Sequence, residues 1–151
     1  MEIKIRQLME YDKPLVMELI ATDDLRPEGI LERGTKYWGA FENDKLVGVI
    51  GCEYQNCYGL LRSALVDKQY RNMGIARLLT DILRQTAWEE NLEAIYLFST
   101  GAGAYWTKLG FKEVTVEEAV KNLSDTPQVK LFETLGWLPA EVAYKIELEN
   151  L

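Results

Sequence analysis

Apolar and polar positions change their period repeatedly along the chain, and each change marks a new element. Residues 2–8 alternate, with Ile3, Ile5 and (imperfectly) Leu8 apolar between polar neighbours, which predicts a strand. Over residues 12–22, Leu15, Val16, Leu19 and Ile20 recur at helical spacing. Asp23-Asp24 and Pro27 break that pattern, and Pro27 suits the first turn of a short second helix ending near Gly34. Lys36 to Phe41 and Lys45 to Tyr54 read as a hairpin turned at Asn43-Asp44, with Val47, Val49 and Ile50 among its apolar positions. Gln55-Asn56 turns the chain again into a strand from Tyr58 to Val66, so three antiparallel strands run consecutively.

The period then becomes helical from Gly74 to Glu90, through Ile75, Leu78, Leu79, Ile82, Leu83 and Thr86, and Asn91 ends it. Ala94-Ile95-Tyr96-Leu97-Phe98 is an unbroken apolar run of strand length, which suits a parallel neighbour with both faces covered. Gly101 to Leu109 predicts a short helix stopped by Gly110 as a left-handed cap, and Phe111 to Val116 another strand. Thr115-Val116-Glu117-Glu118 matches a capping box opening a helix to about Leu123. Thr126-Pro127 starts one more helix, with Val129, Phe132 and Leu135 inward and Gly136 at its end. Val142 to Leu148 alternates as a final strand. Without repeats, linkers or low-complexity segments, residues 1–151 read as one mixed α/β domain.

Composition narrows the chemistry. A chain of 151 residues with 48% apolar and 27% charged side chains is an ordinary globular domain. No apolar run approaches the ~18 residues of a membrane span. The first residues, from Met1, alternate like a strand and do not resemble a signal peptide, so a cytoplasmic protein with no membrane partner is expected. A net charge of −7 argues against nucleic acid, yet leaves room for one small anion at a locally positive place. The absence of histidine excludes Ser-His-Asp and Cys-His enzymes and argues against a metal site. Cys52 and Cys57 make no disulfide framework, and nothing near them in sequence marks a nucleophile.

The stretch from Leu65 to Arg77 answers the charge argument. A strand enters it, a helix leaves it, and Lys68, Arg71 and Arg77 gather there. A strand–turn–helix junction aims free backbone N–H groups at one point with the helix dipole behind them. Small residues at Gly74 and Ala76 let a phosphate approach the backbone. No Gly-Lys-Ser/Thr follows, which excludes a triphosphate loop. Gly101-Ala102-Gly103 begins like a dinucleotide fingerprint, but Trp106 is too bulky for its third small position.

With Arg71-Asn72-Met73-Gly74-Ile75-Ala76 between strand and helix, and Tyr105-Trp106-Thr107-Lys108-Leu109-Gly110-Phe111 downstream, the whole chain resembles the GCN5-related N-acetyltransferase (GNAT) family. The stretch Tyr58 to Asp67, with Glu118-Ala119-Val120 and the Pro139 segment, is similar to the arsenic-operon-associated branch of amino-acid N-acetyltransferases. The resemblance implies a mostly antiparallel six- to seven-stranded sheet, helices on both faces and a central splayed parallel strand pair. It also implies acetyl-CoA as co-substrate, wedged between that pair. The backbone of Ala64, Leu65 and Val66 would pair with the pantetheine arm, and the N–H groups of Asn72, Met73, Gly74, Ile75, Ala76 and Arg77, with Arg71 in the same turn, would hold the pyrophosphate. Gly101 to Gly103 would leave room beside the thioester. The resemblance is also compatible with a homodimer, though no residue of the sequence marks one.

Acceptor and acid–base residues follow from chemistry. Arg62 lies mid-strand among apolar neighbours and needs a partner if it faces inward. The carboxylate of an amino-acid-like amine would satisfy its planar fork, with a structural ion pair or a solvent-facing arginine as the alternatives. The amine must lose a proton, and without histidine Glu53 is the best-placed base, a surface glutamate being the other reading. The family often places an acidic tyrosine where this chain has Trp106, and Tyr105 is one residue, about 100° of helix, away. Ser99 or Thr100 would then offer a hydroxyl to the leaving thiolate, with Thr100 also among the cofactor contacts, the alternative being a thiolate that leaves unaided. The expected activity is direct acetyl transfer to a small amine. An acyl-CoA sensor without turnover and a protein or peptide N-acetyltransferase are the other readings. Tyr37, Trp38, Tyr54 and Tyr58 fit a peptide groove or, more simply, core packing.

Overall fold

Each strand and helix begins where the period changes. The structure, a computed structural model, describes residues 2–23 and 25–148; Met1 and Asp24 lie outside them. Strand β1 (Lys4–Gln7) precedes helix α1 (Lys13–Ile20), and strands β2 (Thr35–Glu42), β3 (Lys45–Gln55) and β4 (Tyr58–Val66) follow. Helix α2 (Ile75–Glu89) and strand β5 (Ala94–Phe98) come next, then helix α3 (Gly103–Lys108) and strand β6 (Lys112–Val114). Helices α4 (Val116–Leu123) and α5 (Pro127–Leu135) lead to strand β7 (Ala143–Glu147). The seven strands are ordered β1-β2-β3-β4-β5-β7-β6. β4 and β5 are parallel, Tyr58 opposite Ala94 through Leu60 opposite Tyr96. β1–β2, β5–β7 and β6–β7 are antiparallel. This is the mixed, mostly antiparallel sheet with one parallel pair that the sequence predicts.

The residues gather in two compact units, one of residues 1–52 and 62–85, the other of residues 53–61 and 86–151. The first has its core in Leu8, Val16, Ile20, Ile30, Tyr37, Val49 and Leu65. The second packs Leu60, Tyr96, Ala119, Leu123, Val129 and Ala143 together. Trp38 is buried and Tyr54 and Tyr58 are half-buried, in keeping with core and hairpin packing rather than an open groove.

Tyr37 is wholly buried, and its ring lies over Gly51 on β3, where an added Cβ would fall inside the ring's van der Waals envelope. Gly51→Ala therefore forces a core ring to move, at a cost of about 2 kcal/mol. Urea unfolding should show a lower midpoint with an unchanged slope; an unchanged midpoint contradicts the packing described here.

Four expectations are corrected. Residues 27–34 form a chain of turns rather than a helix, because Gly29, Leu31 and Gly34 alternate into positive φ (86°, 57° and 85°). Bonds from Ile30 N to Pro27 O, Glu32 N to Gly29 O and Thr35 N to Glu32 O close those turns. The second hairpin turns at Asn56-Cys57, one residue later than expected, with Asn56 at φ 53°. Leu78 and Leu135 are exposed. The capping box is only half made. Thr115 Oγ1 accepts from Glu118 N at 3.1 Å, but the Glu118 carboxylate turns away to accept from Tyr96 Oη (2.7 Å) and Lys145 Nζ (3.1 Å). Those two donors hold the Glu118 carboxyl below the usual range.

Candidate cofactor and acceptor site

The first unit contains the anion-binding turn. Ser63 sits mid-β4 at φ 57°, a left-handed residue that kinks the strand just before Ala64, Leu65 and Val66. After β4, Asp67 N donates to Val47 O (2.8 Å), and the Asp67 carboxylate accepts from Gln69 N (2.9 Å). A single 3₁₀ turn, Lys68–Tyr70, closes on Asp67 O. Arg71 is extended, and its Nε donates back to Val66 O at 2.9 Å, using one of the five guanidinium donors.

Asn72 (φ 64°) and Gly74 (φ 81°) then swing the chain into α2, whose first bond runs from Leu78 N to Gly74 O at 3.0 Å. The amides of Gly74, Ile75, Ala76 and Arg77 precede that bond and find no acceptor inside the helix. Ile75 is buried and anchors the helix, whereas Arg71, Asn72, Met73, Gly74 and Arg77 are exposed. Beyond Gly74 itself and its two chain neighbours, nothing lies within 4 Å of where a Gly74 Cβ would stand. Open backbone, orphan amides, the positive helix end and two exposed arginines suit a phosphate.

Arg62 belongs to the same unit. It is buried, with Nη2 donating to Arg26 O (2.9 Å) and Nε to Ser63 Oγ (3.2 Å). Arg26 also pairs with Glu28, whose carboxyl is held below the usual range chiefly by that bond and in part by the charge of Arg62. Among the described residues, the Arg62 and Arg26 guanidinium groups and the Glu28 carboxylate thus gather at the turns that replace the expected helix.

The remaining candidates lie in the second unit. Glu53 is no surface residue: it is fully buried, and its Oε1 accepts from Gln128 N at 2.9 Å. Ser99 N donates to Val142 O, and Ser99 Oγ accepts from Ala102 N at 3.2 Å. Thr100 is exposed. Trp106 is buried edge-on to Phe111, whereas Tyr105, one residue earlier, is exposed with its ring edge-on to Trp106. Gly103 leaves room for the Tyr144 phenol, whose Cζ would lie 3.2 Å from an added Cβ, whereas the space beside Gly101 is open. Cys52 and Cys57 are not joined in a disulfide, and a bond to Glu93 holds the Cys57 thiol above its usual range. No cluster of metal ligands occurs among the described residues. No described helix is long and apolar enough to cross a membrane.

Sequence reasoning passed over Ser63, Glu42, Tyr70 and Tyr144. None of them belongs to a local signature; Glu42, Tyr70 and Tyr144 acquire their places through contacts distant in sequence, and Ser63 through its left-handed backbone.

The acetyltransferase (GNAT) domain family matches residues 13–137, most of the chain. The chain belongs to the GNAT family. It is an N-acetyltransferase by that membership, and the match is to the domain as a whole rather than to any branch. No curated protein matches it. A GNAT-family acetyltransferase from Staphylococcus aureus superposes with a TM-score of 0.76 at 22% identity, covering 98% of this chain and 100% of that one. N-acetylglutamate synthase from Neisseria gonorrhoeae, complexed with coenzyme A and N-acetyl-glutamate, gives a TM-score of 0.79 at 16% identity, over 99% of this chain and 36% of that one. The ribosomal-protein-S18-alanine N-acetyltransferase from Escherichia coli gives 0.72 at 16% identity, over 99% of each. One of these proteins is named for a small-molecule acceptor and another for a protein. The GNAT fold alone therefore leaves the acceptor open.

Proposed function

We propose that residues 1–151 form one acetyl-CoA-dependent domain that acetylates the amine of a small, carboxylate-bearing molecule. The family match runs through both compact units. The observation that carries the donor assignment is the cradle at Asn72–Arg77, where open space at Gly74 meets four orphan amides. Acetyl-CoA supplies the acetyl group as a thioester. Asn72 to Arg77 hold the pyrophosphate, and the backbone after the Ser63 kink, at Ala64, Leu65 and Val66, pairs with the pantetheine arm.

The amine forms the new C–N bond as the C–S bond breaks, and one proton leaves the nitrogen for solvent water while the thiolate takes one up. Glu53 has an oxygen committed to Gln128 and is a poor candidate for the first transfer. Ser99 and Tyr105 are the hydroxyls proposed for the second. Arg62, with Arg26 beside it, is proposed to attract the acceptor's carboxylate.

A thermal-shift titration with acetyl-CoA, followed by thiol release over an amino-acid panel, tests the whole reading. Stabilisation and thiol release with an amino acid are expected. Arg62→Lys should raise the Michaelis constant for that acceptor about tenfold with little change in kcat, because an ammonium cannot grip a carboxylate with a planar fork. The buried Trp106 favours one other reading, a sensor without turnover, which stabilisation without thiol release would identify. No stabilisation at all sinks the donor assignment.

A further inference from the structure

The cradle is anchored at a point that no ligand contact requires. Tyr70 Oη donates to Glu42 Oε1 at 2.7 Å, tying the last residue of the 3₁₀ turn to the end of β2. Lys45, the first residue of β3, lies 5.3 Å over the Tyr70 ring and 3.9 Å from Asp67 Oδ2. The β2–β3 hairpin therefore grips both ends of the turn, at Asp67 and at Tyr70. Two residues beyond Tyr70 begin the positive-φ positions that aim the amides.

An acidic residue so near an anion site works against the ligand electrostatically. Its presence needs a compensating use, and the hydrogen bond supplies one. A phenol bonded to a carboxylate is a charge-assisted contact, stronger and more directional than a neutral one. It fixes the backbone before the ligand arrives, and pre-organisation of this kind lowers the ordering cost of binding.

We propose that Tyr70 and Glu42 are positioning residues for the donor's pyrophosphate, acting through the backbone of residues 71–77 without touching the ligand. The inference rests on acetyl-CoA being the donor. It makes the hairpin tip at Glu42 and Lys45 part of the donor site's support, and it confines the effect to the phosphate end of the molecule.

S-acetylpantetheine, which carries the same thioester but no pyrophosphate, separates this role from a general structural one. Tyr70→Phe and Glu42→Ala should each raise the Michaelis constant and the calorimetric Kd for acetyl-CoA about tenfold, with kcat within about twofold of the parent. Both should leave kcat/KM for S-acetylpantetheine unchanged. The double variant should be no weaker than either single one, because both break the same bond. Equal losses with the two donors, or an unchanged Kd for acetyl-CoA, overturn the proposal. A parent protein that binds no acetyl-CoA at all overturns instead the reading on which it rests.

Discussion

Gly74→Val is expected to weaken acetyl-CoA binding at least a hundredfold while leaving the protein folded. Gly74 has φ 81°, a region costing an L-residue roughly 1–2 kcal/mol and a β-branched one more. The surrounding space is empty, so no clash adds to that strain in the free protein. The same space is where a phosphate would approach the amides of Gly74 to Arg77, and the valine side chain would occupy it. If the backbone instead relaxes to negative φ, the amides disperse. Either route forfeits charge-assisted bonds worth about 1.5–3 kcal/mol each, and two lost bonds correspond to about two to four powers of ten in affinity. Calorimetric titration reads the affinity, and circular dichroism melting reads the fold. A Kd within about threefold of the parent would remove the cradle from the donor site.

That turn was legible before any coordinates because everything it needs is local: a strand's end, small residues, a helix start and clustered cations. The same holds for the Asn43-Asp44 turn and for the α2 stripe, whose Ile75, Leu79 and Leu83 are all buried as the period implies. What could not be read depends on partners far along the chain. Residues 27–34 kept a helical look because Pro27 and Ile30 fit one, yet two glycines and Leu31 bend them into turns that bury Ile30. Ser63 carries no mark of its left-handed conformation. Glu118 follows Thr115 at capping-box spacing but is taken by Tyr96 and Lys145, 22 and 27 residues distant in sequence. Periodicity sees neighbours at 2 and 3.6 residues, and a hydrogen bond closed by the tertiary fold has no period.

Glu53 shows what such a bond does for the fold, and its substitution should have the largest effect on stability. At the start of α5, Pro127 has no N–H, so Gln128 carries the first amide needing an acceptor. Thr126, the natural cap, turns its hydroxyl to Leu123 O at 2.6 Å and makes no side-chain cap bond. The acceptor comes instead from β3: Glu53 Oε1 takes Gln128 N at 2.9 Å, and Gln55 Oε1 takes Asp125 N at 2.7 Å. Residues two apart on a strand face the same way, so this pair holds the α4–α5 junction as one clamp. Glu53→Ala strands a half-buried amide and removes the carboxylate from the helix start, which together cost about 3 kcal/mol. Glu53→Gln keeps an oxygen acceptor and should cost about 1 kcal/mol, the difference being the lost charge assistance. Urea unfolding should rank parent, Gln and Ala in that order, and the pH–rate profile of Glu53→Gln should match the parent's. A Gln variant as stable as the parent but about a hundredfold slower, without the acidic limb of its pH–rate profile, would return Glu53 to the role of base.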